Sequence, residues 1–409
     1  MKLLIVEPRA HGHHFSLYLV RILREAFKRE WQVHLLTTQD ALDHPAMKII
    51  SQEFSARVSC SLMPVPRQWM SGNIAVLLAN QWFYRQAVVQ GVRPLAMRQF
   101  DGVLLMDLDS VDKALALFGS PFGNLQVSGV FIHIKFHWPR TGRAGGGRFP
   151  RLGWRLFKLL LRRTFVHSVC VVDESFGPFM AQNPTLGGDK VRIAVEPAVA
   201  PVAIDRSVAR KLLGVDGHEF IVLVYGAHTP RKGIHWLLNA LDKVEHAGIR
   251  ALVAGDMDRA VRALLESPQA TALVSAGRLT VIDRFVGDEE ERALFSAADL
   301  VWLGYGPEFD GQSGLLALAA AYGIPVLAKH TGMIGDTAAQ HGLGVLIRPE
   351  QTDDVAATLV RLKENPGLLN PMRDRAAAFA HTRPLENFAT VICSAIEMHV
   401  ADPVERSGA

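Results

Sequence analysis

Short apolar runs alternate with amphipathic stretches along the first half of the chain. Residues 2–7 and 32–37 are apolar runs of strand length, and residues 15–29 between them place apolar side chains at helical spacing. Further strands are predicted at residues 102–106, 128–133 and 168–172. This β-α-β rhythm predicts a parallel sheet with helices on both faces.

The rhythm stops between residues 196 and 219, where prolines precede a short charged helix, and it restarts at the apolar residues 220–225. Later strands are predicted at residues 251–254, 279–282, 300–303, 325–328 and 344–347. The pattern predicts an α/β protein with two doubly wound domains, at residues 1–200 and 201–383. Residues 384–409 are predicted to form a terminal helix that packs back on the first domain.

The composition is that of a folded protein with two cores. The chain has 409 residues, more than the roughly 250–300 that one hydrophobic core usually serves. With 49% hydrophobic and 21% charged residues, it differs from disordered, collagen-like and coiled-coil chains. Its three cysteines lack the spacing of a disulfide framework or a zinc site. Neither a signal peptide nor a spanning segment is predicted, so the expected location is the cytoplasm.

The net charge of +4 is unevenly distributed along the chain. Residues 133–172 contain nine lysines and arginines and no acidic residue, which indicates an anionic partner. No helix-turn-helix, zinc-finger or RNA-binding signature accompanies these cations, so no nucleic-acid partner is predicted. Phosphates or a lipid surface fit better.

Two strand-end loops in the second half carry candidate chemistry. The first contains Arg231, Lys232 and Gly233, whose cations suit a phosphate, although such a sequence also occurs in solvated turns. The second places Gly311 and Ser313 before an alanine-rich helix, whose free amides and dipole suit a diphosphate. The alternative for this loop is a helix capped by Ser313 that binds nothing.

Taken in order, the second-half segments resemble the carboxyl-terminal domain of GT-B glycosyltransferases, particularly the family-four (group 1) enzymes. The resemblance covers about residues 220–380. Five segments in order carry it. They are the Gly-x5-Lys-Gly loop at residues 226–233, the Ala-Gly-Asp strand end at residues 254–256, the segment from Asp283 to Leu303, and two closing segments at residues 323–326 and 342–347. It implies two Rossmann-like domains facing across a cleft, with the acceptor on the first and a nucleotide-sugar donor on the second.

The resemblance also implies roles for individual residues. Lys232 would contact the donor diphosphate, the amides of residues 311–315 would contact donor phosphate and sugar, and Asp310 would contact the sugar. An arginine and a glutamate that usually contact the donor in this family are absent, and Ala227 and Leu318 stand at their positions. Arg231 and Glu308 are candidates to supply the missing cation and carboxylate. The implied donor-binding set is Gly12, Arg231, Lys232, Glu308, Gly311, Gln312, Ser313, Gly314 and Leu315, and the implied catalytic set is His133 and Asp310.

The first half matches the family more loosely. Gly12, flanked by His11, His13 and His14, stands where relatives carry a glycine turn facing the donor phosphates, and we interpret it as a polar loop rather than a metal site. His133 matches the position of a histidine near the reacting sugar, and His137 is the runner-up.

A pair of aspartates in the first half also invites a metal interpretation. Asp107-x-Asp109 resembles the metal motif of another glycosyltransferase fold, but we expect Asp109 and Ser110 to cap the following helix.

Residues 148–165 form a basic amphipathic stretch with Trp154 and Phe157 among leucines. Such a helix either packs on the sheet or lies in a membrane interface. Together with the loop at residues 143–148, it makes residues 135–165 a candidate for peripheral membrane contact at the inner face of the cytoplasmic membrane.

The resulting hypothesis is a retaining hexosyltransferase that moves a sugar from a nucleotide-sugar to a glycan or lipid-diphosphate acceptor in polysaccharide or glycoconjugate assembly. The resemblance implies no metal and no cofactor, because the nucleotide-sugar is a substrate. Ala227 and Leu318 keep a second hypothesis open, a degenerate relative that acts as a sugar- or nucleotide-binding subunit of a transferase. A nucleotide-sugar epimerase of the same fold is the third.

Overall fold

The computed structural model describes residues 1–9, 14–44, 46–55, 57–69, 73–140, 149–198, 202–244 and 248–397. The chain forms two compact units. The first comprises Met1–Glu196 and the terminal segment that begins at Leu385, and the second comprises Pro197–Pro384.

The first unit contains a parallel sheet of seven strands. They are β1 Lys2–Val6, β2 Gln32–Thr37, β3 Val58–Leu62, β4 Gly102–Leu105, β5 Val127–Phe131, β6 Val166–Val171 and β7 Val191–Ile193. Their order in the sheet is β3-β2-β1-β4-β5-β6-β7, so the chain reverses its winding direction between β1 and β4. Ligands of open α/β sheets bind at such a reversal, beyond the carboxyl ends of the strands.

Helices cover both faces of this sheet. They are α1 Val20–Lys28, α2 Gln39–Leu42, α3 Ala46–Phe54, α4 Ile74–Val92, α5 Asp112–Phe118, α6 Pro150–Leu161 and α7 Phe176–Gln182. One core lies under α1 and α3, and the other lies under α4, α5, α6 and α7. A π-helical turn, His14–Leu19, leads into α1.

The second unit repeats the design with six parallel strands. They are β8 Phe220–Tyr225, β9 Ile249–Ala254, β10 Leu279–Ile282, β11 Leu300–Leu303, β12 Val326–Lys329 and β13 Gly344–Ile347. The order β10-β9-β8-β11-β12-β13 is that of a dinucleotide-binding Rossmann sheet. The prediction of two doubly wound parallel-sheet domains is confirmed.

The helices of the second unit follow the same alternation. They are α8 Arg206–Leu212, α9 Ile234–Lys243, α10 Arg259–Leu265, α11 Pro268–Ser275, α12 Asp288–Ala297, α13 Gly314–Ala321, α14 Gly332–His341, α15 Thr352–Glu364 and α16 Asn370–His381. A last helix, α17 Leu385–Glu397, belongs to the first unit and packs on α1. There the Phe388 ring stacks on Tyr18 with 5.0 Å between centroids.

The hydrophobic pattern missed two strands, both for physical reasons. β3 lies at the sheet edge and exposes most of its side chains, so its sequence Val-Ser-Cys-Ser-Leu carries little apolar signal. β7 has only three residues and is half-buried. Among the residues that the structure describes, no helix combines the length and apolar character needed to cross a membrane.

Candidate functional site

The loop after β8 is shaped by a glycine that no other residue could replace without strain. Gly233 has a φ of +62° and ends a short 3₁₀ turn, Pro230–Lys232, directly before α9. A Cβ atom at this position would lie 2.1 Å from the carbonyl oxygen of Gly304, which follows β11. The glycine therefore lets the loops after two neighbouring strands approach each other closely.

Lys232 is buried in this loop, with only 7% of its surface exposed. Its ammonium donates a hydrogen bond to the carbonyl oxygen of Tyr225, and its own carbonyl accepts one from Trp302 Nε1 at 2.9 Å. Burial and the neighbouring Arg231 charge lower the pKa of Lys232 to about 7. A nearby anion would relieve both effects, since it favours the charged form of the amine.

Arg231 connects the first loop to the second. Its guanidinium lies over the Phe309 ring, 5.1 Å from the ring centroid, and its carbonyl oxygen accepts a 2.7 Å hydrogen bond from the Gly306 amide. The arginine is exposed, as is Ala227 earlier in the loop. Lys232 and Arg231 thus form a cationic pair in which one member is buried and the other accessible.

The second loop leads from β11 into α13. Ser313 precedes the helix in an extended conformation, and its hydroxyl lies 3.1 Å from the Tyr305 hydroxyl instead of capping α13. The sequence-based alternative of a helix capped by the Ser313 side chain is therefore wrong. The Tyr305 ring stacks on Phe309 at 4.5 Å, which ties the start of the loop to its middle.

A buried lysine that the sequence pattern did not single out holds this second loop. Lys329 is the last residue of β12 and is 2% exposed. Its ammonium donates to the carbonyl oxygens of Gly306 and Phe309, at 2.9 and 2.7 Å, and lies 3.8 Å from Asp310 Oδ1. Burial lowers the pKa of Lys329. A lysine at the end of an otherwise apolar strand was the signal that could have identified it.

The other predicted residues of the second loop have different exposures. The Asp310 carbonyl oxygen accepts a 3.1 Å hydrogen bond from the Met333 amide, which anchors the loop to α14. Glu308 is exposed, and its carboxylate lies over the backbone of Gly306. Gly311 and Leu315 are buried, whereas Gln312 and Gly314 are half-buried.

A second residue missed from the sequence is His228, between Gly226 and Lys232. Its Nε2 donates to the Ala254 carbonyl oxygen at 3.0 Å, which joins the ends of β8 and β9. Burial and the Lys232 charge lower the pKa of His228 to about 4. The imidazole is therefore neutral at physiological pH and leaves the cationic character of the loop to Arg231 and Lys232.

In the first unit, His133 lies exposed just after β5. Its amide and that of Ile132 donate to Asp109 Oδ2 at 3.1 and 2.7 Å. Burial and the Asp107 charge raise the pKa of Asp109 to about 7. Asp109 thus holds the His133 backbone at the carboxyl end of the sheet.

The expected capping role of Asp109 and Ser110 is wrong. No side chain caps α5, and the Ser110 hydroxyl accepts instead from Arg9 at 3.1 Å. Arg9 also pairs with Asp107, its Nη1 lying 3.3 Å from Oδ2. Among the described residues, no group of three or more histidines, cysteines, aspartates or glutamates is placed to hold a metal.

His137, the runner-up histidine, is fully buried. Its Nε2 lies 3.0 Å from Asp173 Oδ2 and 3.1 Å from Ser175 Oγ, among the rings of Phe176 and Phe179. It is a core residue, which leaves His133 as the exposed histidine of the two. Gly12 lies outside the described residues.

The basic stretch after residue 148 is divided between core and solvent. Trp154 and Phe157 of α6 are buried against the sheet, so the apolar side of this helix is covered by its own unit. Arg151 and Arg155 are exposed. The loop at residues 143–148 lies outside the described residues, and membrane contact through residues 135–165 stays a prediction.

Comparison with known proteins identifies the second unit. Residues 219–365 match the family described as "Glycosyl transferases group 1", a range that begins at β8 and ends after α15. The second unit contains a group 1 glycosyltransferase domain. Both loops described above lie inside the match, so Arg231, Lys232, Lys329 and Asp310 are residues of this domain.

Curated relatives of similar sequence are also glycosyltransferases. D-inositol 3-phosphate glycosyltransferase of Rhodococcus jostii is 31% identical over 199 residues, which are 45% of this chain and 40% of the relative. The chain spans less than half the length of the curated relatives it matches.

Solved structures resemble the chain over nearly its whole length. A glycosyltransferase from Rickettsia africae has a TM-score of 0.66 at 14% identity, covering 98% of this chain and 99% of the other. Anabaena HepE in complex with UDP-glucose has a TM-score of 0.63 at 18% identity, covering 97% and 100%. These likenesses show the fold, two Rossmann-like units of the GT-B class.

Proposed function

We propose that this chain is a glycosyltransferase that transfers a sugar from a nucleotide-sugar donor to a glycan or lipid-linked acceptor. The observation that carries the proposal is the pair of cations, buried Lys232 and exposed Arg231, at the start of α9 in a group 1 glycosyltransferase domain. HepE, which shares the fold, is described in complexes with UDP and UDP-glucose. These complexes support a nucleotide-sugar as the donor.

In this proposal the donor diphosphate lies beside Lys232 and Arg231. During transfer the bond from the anomeric carbon to the phosphate oxygen breaks, and its electron pair leaves with the nucleotide. An acceptor hydroxyl oxygen bonds to the anomeric carbon, and its proton passes to the released diphosphate. A buried ammonium and the amides at the start of α13 stabilise the charge that develops on the leaving group, and this stabilisation is usually the largest catalytic contribution. The small residues Gly311, Ser313 and Gly314 let the diphosphate approach those amides, with Gln312 and Leu315 completing the loop.

The acidic residues of the second loop are proposed to bind the sugar. Asp310 is anchored through its backbone by the Met333 amide and lies near the Lys329 ammonium, so its carboxylate is held in place. Glu308 is the candidate replacement for the carboxylate missing at Leu318, which lies half-buried against an apolar cluster. His133 of the first unit is proposed to contact the reacting sugar. Retention of stereochemistry and a hexose donor are part of the same proposal.

Ligand-induced stabilisation tests the donor site. Purified full-length protein is heated with a panel of UDP-, GDP- and ADP-sugars, and binding to the folded state raises the unfolding midpoint. We expect a shift with one nucleotide class that is lost in Lys232→Met and retained in Lys211→Met, a matched control on the exposed surface of α8. A shift that survives Lys232→Met would contradict the donor-site assignment.

Turnover separates the enzyme from the binding-subunit alternative. That alternative rests on Ala227 and Leu318, which supply neither the cation nor the carboxylate usual at those positions. With the donor class known, release of the free nucleotide is measured with candidate glycan and lipid-linked acceptors. Release that disappears in Lys232→Met supports the transferase, whereas tight donor binding without release with any acceptor favours the binding subunit.

A further inference from the structure

One carboxylate of α12 turns inward, beside the proposed donor site. Glu291 lies in the first turn of α12 and is half-buried. Its Oε2 accepts a 2.5 Å hydrogen bond from the hydroxyl of Tyr225, the last residue of β8. The preceding carboxylate, that of Glu290, accepts instead from the exposed Arg284 at 2.6 and 2.7 Å. Glu291 is therefore fixed at the sheet, whereas its neighbour pairs with a surface arginine.

Tyr225 joins this carboxylate to the lysine of the first loop. Its carbonyl oxygen accepts a hydrogen bond from the Lys232 ammonium, and its hydroxyl donates to Glu291. Burial and the hydrogen bond to Glu291 raise the pKa of Tyr225, so the hydroxyl stays protonated. The Tyr225 ring meets Phe295 edge-on with 5.0 Å between centroids, which fixes its direction. The ammonium and the carboxylate are therefore held by opposite ends of a single residue.

The proposed donor geometry brings the nucleoside toward this carboxylate. The sugar is proposed to lie at Asp310, near Lys329 at the end of β12. The diphosphate joins the sugar to the nucleoside, and β11 separates β12 from β8, so the nucleoside lies toward β8 and α12. On that side α13 presents Gly314, Leu318 and Tyr322 in one line, because residues four apart share a helix face. All three are half-buried.

This face of α13 has an apolar side chain at its centre and a carboxylate beside its far end. Leu318 offers a hydroxyl-bearing ligand no hydrogen bond. The Tyr322 ring stacks on Phe295 with 4.6 Å between centroids, and Phe295 also contacts Tyr225. Burial and the Glu291 charge raise the pKa of Tyr322, which places that charge close to the tyrosine. The carboxylate therefore approaches the face of α13 from the neighbouring helix.

We infer that Glu291 binds the ribose of the donor nucleotide by accepting hydrogen bonds from its hydroxyls. The inference rests on the proposed function, since it requires the diphosphate to lie at Lys232. A carboxylate has about four acceptor sites, enough for Tyr225 and a pair of adjacent hydroxyls. Hydrogen bonds to an ionised acceptor are roughly twice as strong as neutral ones. The other candidate carboxylate, Glu308, is exposed and belongs to the loop of Asp310, on the sugar side of the diphosphate.

Deoxynucleotides test the inference, because they lack a hydroxyl that the carboxylate would bind. Calorimetry of the full chain measures the affinities of UDP, GDP and ADP and of their 2′-deoxy counterparts. We expect the wild type to bind the ribonucleotide of one base roughly tenfold more tightly than the deoxy form. Glu291→Gln should lose most of this preference by binding the ribonucleotide more weakly. Glu289→Gln removes an equal charge from the exposed side of the same turn and should keep the preference.

Two further variants separate positioning from phosphate binding. Tyr225→Phe removes the hydrogen-bond donor to Glu291 and should lower the ribose preference with little change in affinity for the deoxynucleotide. Lys232→Met should weaken both nucleotides alike, since the lysine is proposed to meet the diphosphate. Circular dichroism and thermal unfolding check that each variant is folded, and Tyr225→Phe serves if Glu291→Gln is not.

The inference and the proposed function fail in different ways. Equal binding of ribonucleotide and deoxynucleotide by the wild type, or an unchanged preference in folded Glu291→Gln, would overturn the inference and leave the donor site intact. A preference that Glu308→Gln removes and Glu291→Gln keeps would also overturn it. Failure of every nucleotide to bind would overturn the donor site, and the inference with it.

Discussion

Donor binding should weaken as the pH rises through 7, because a buried ammonium loses its proton there. Burial and the charge of Arg231 bring the pKa of Lys232 to about 7 in the free protein. A diphosphate beside the lysine favours its charged form, so the protonated protein binds the donor more tightly than the neutral one. Binding and protonation are therefore linked, and the affinity is highest below the pKa.

The size of the effect follows from this pKa. If only the charged lysine binds, the apparent dissociation constant rises by a factor of about 1.1 at pH 6 and about 11 at pH 8, a roughly tenfold difference. The worth of a charge-assisted contact, about 1.5–3 kcal/mol, limits the total loss to roughly 10- to 150-fold. His228 does not contribute, since its pKa of about 4 leaves it neutral throughout this range. The diester phosphates of a nucleotide-sugar do not titrate here either.

Calorimetric titration with the nucleotide-sugar identified by thermal shift, at about pH 6, 7, 8 and 9, measures this dependence. Wild-type affinity should fall with pH, and binding above pH 7 should take up a proton from the buffer. Lys232→Arg keeps its charge and should lose the pH dependence, whereas Lys232→Met should bind weakly at every pH. Constant wild-type affinity across the range, or the same slope in the arginine variant, would refute the reasoning.

Further predictions concern stability, ligand binding and the loops. Because the folded-state pKa of Lys232 is below its unfolded value, the unfolded state binds more protons between about pH 7 and 10, so urea-measured stability should rise across that window in the wild type and not in Lys232→Met. The pKa of Asp109 is raised to about 7, so wild-type stability should fall from about pH 4 to 7, and Asp109→Asn should remove that fall. Gly233→Ala forces a Cβ against the Gly304 carbonyl at a positive φ and should lower the free energy of unfolding by about 1–3 kcal/mol. Lys329→Met leaves two carbonyl oxygens without their ammonium donor and should lower both the urea midpoint and donor affinity.

The limits of a strand could be predicted where an apolar run is bounded by residues of a different type. The limits of β8 and β11 follow directly from apolar runs bounded by charged or glycine residues, because these central parallel strands are buried on both faces. The limits of β10 and β13 were also predicted, although both lie at sheet edges and are half-buried, because their side chains are still largely apolar. The edge strand β3 carries no such run, since most of its side chains are exposed. Periodicity reports burial, and strands that are not buried escape it.

The positions of the two loops were also predictable, but their internal contacts were not. Gly233 and Ser313 could be placed at helix starts from neighbouring residues alone. Capping of α13 by the Ser313 hydroxyl was the alternative for this loop, and the hydroxyl instead meets Tyr305, because a serine can bond to any of several nearby partners. Asp109 was likewise expected to cap the adjacent helix, but its carboxylate accepts hydrogen bonds from backbone amides more than twenty residues away. Local sequence therefore does not predict which partner a polar side chain bonds to when several are within reach.

The surrounding contacts give the buried side chains of Lys232 and Lys329 different roles. Lys329 donates to two carbonyl oxygens and lies near a carboxylate, so its charge is used in fixing the loop that carries Asp310. Lys232 donates to one carbonyl oxygen, and the charge of the neighbouring Arg231 makes protonation of its amine less favourable. A bound anion would therefore stabilise the charged form of Lys232 much more than that of Lys329. A lysine at the end of β12 therefore serves structure, whereas a lysine in the loop after β8 serves, in our proposal, ligand binding.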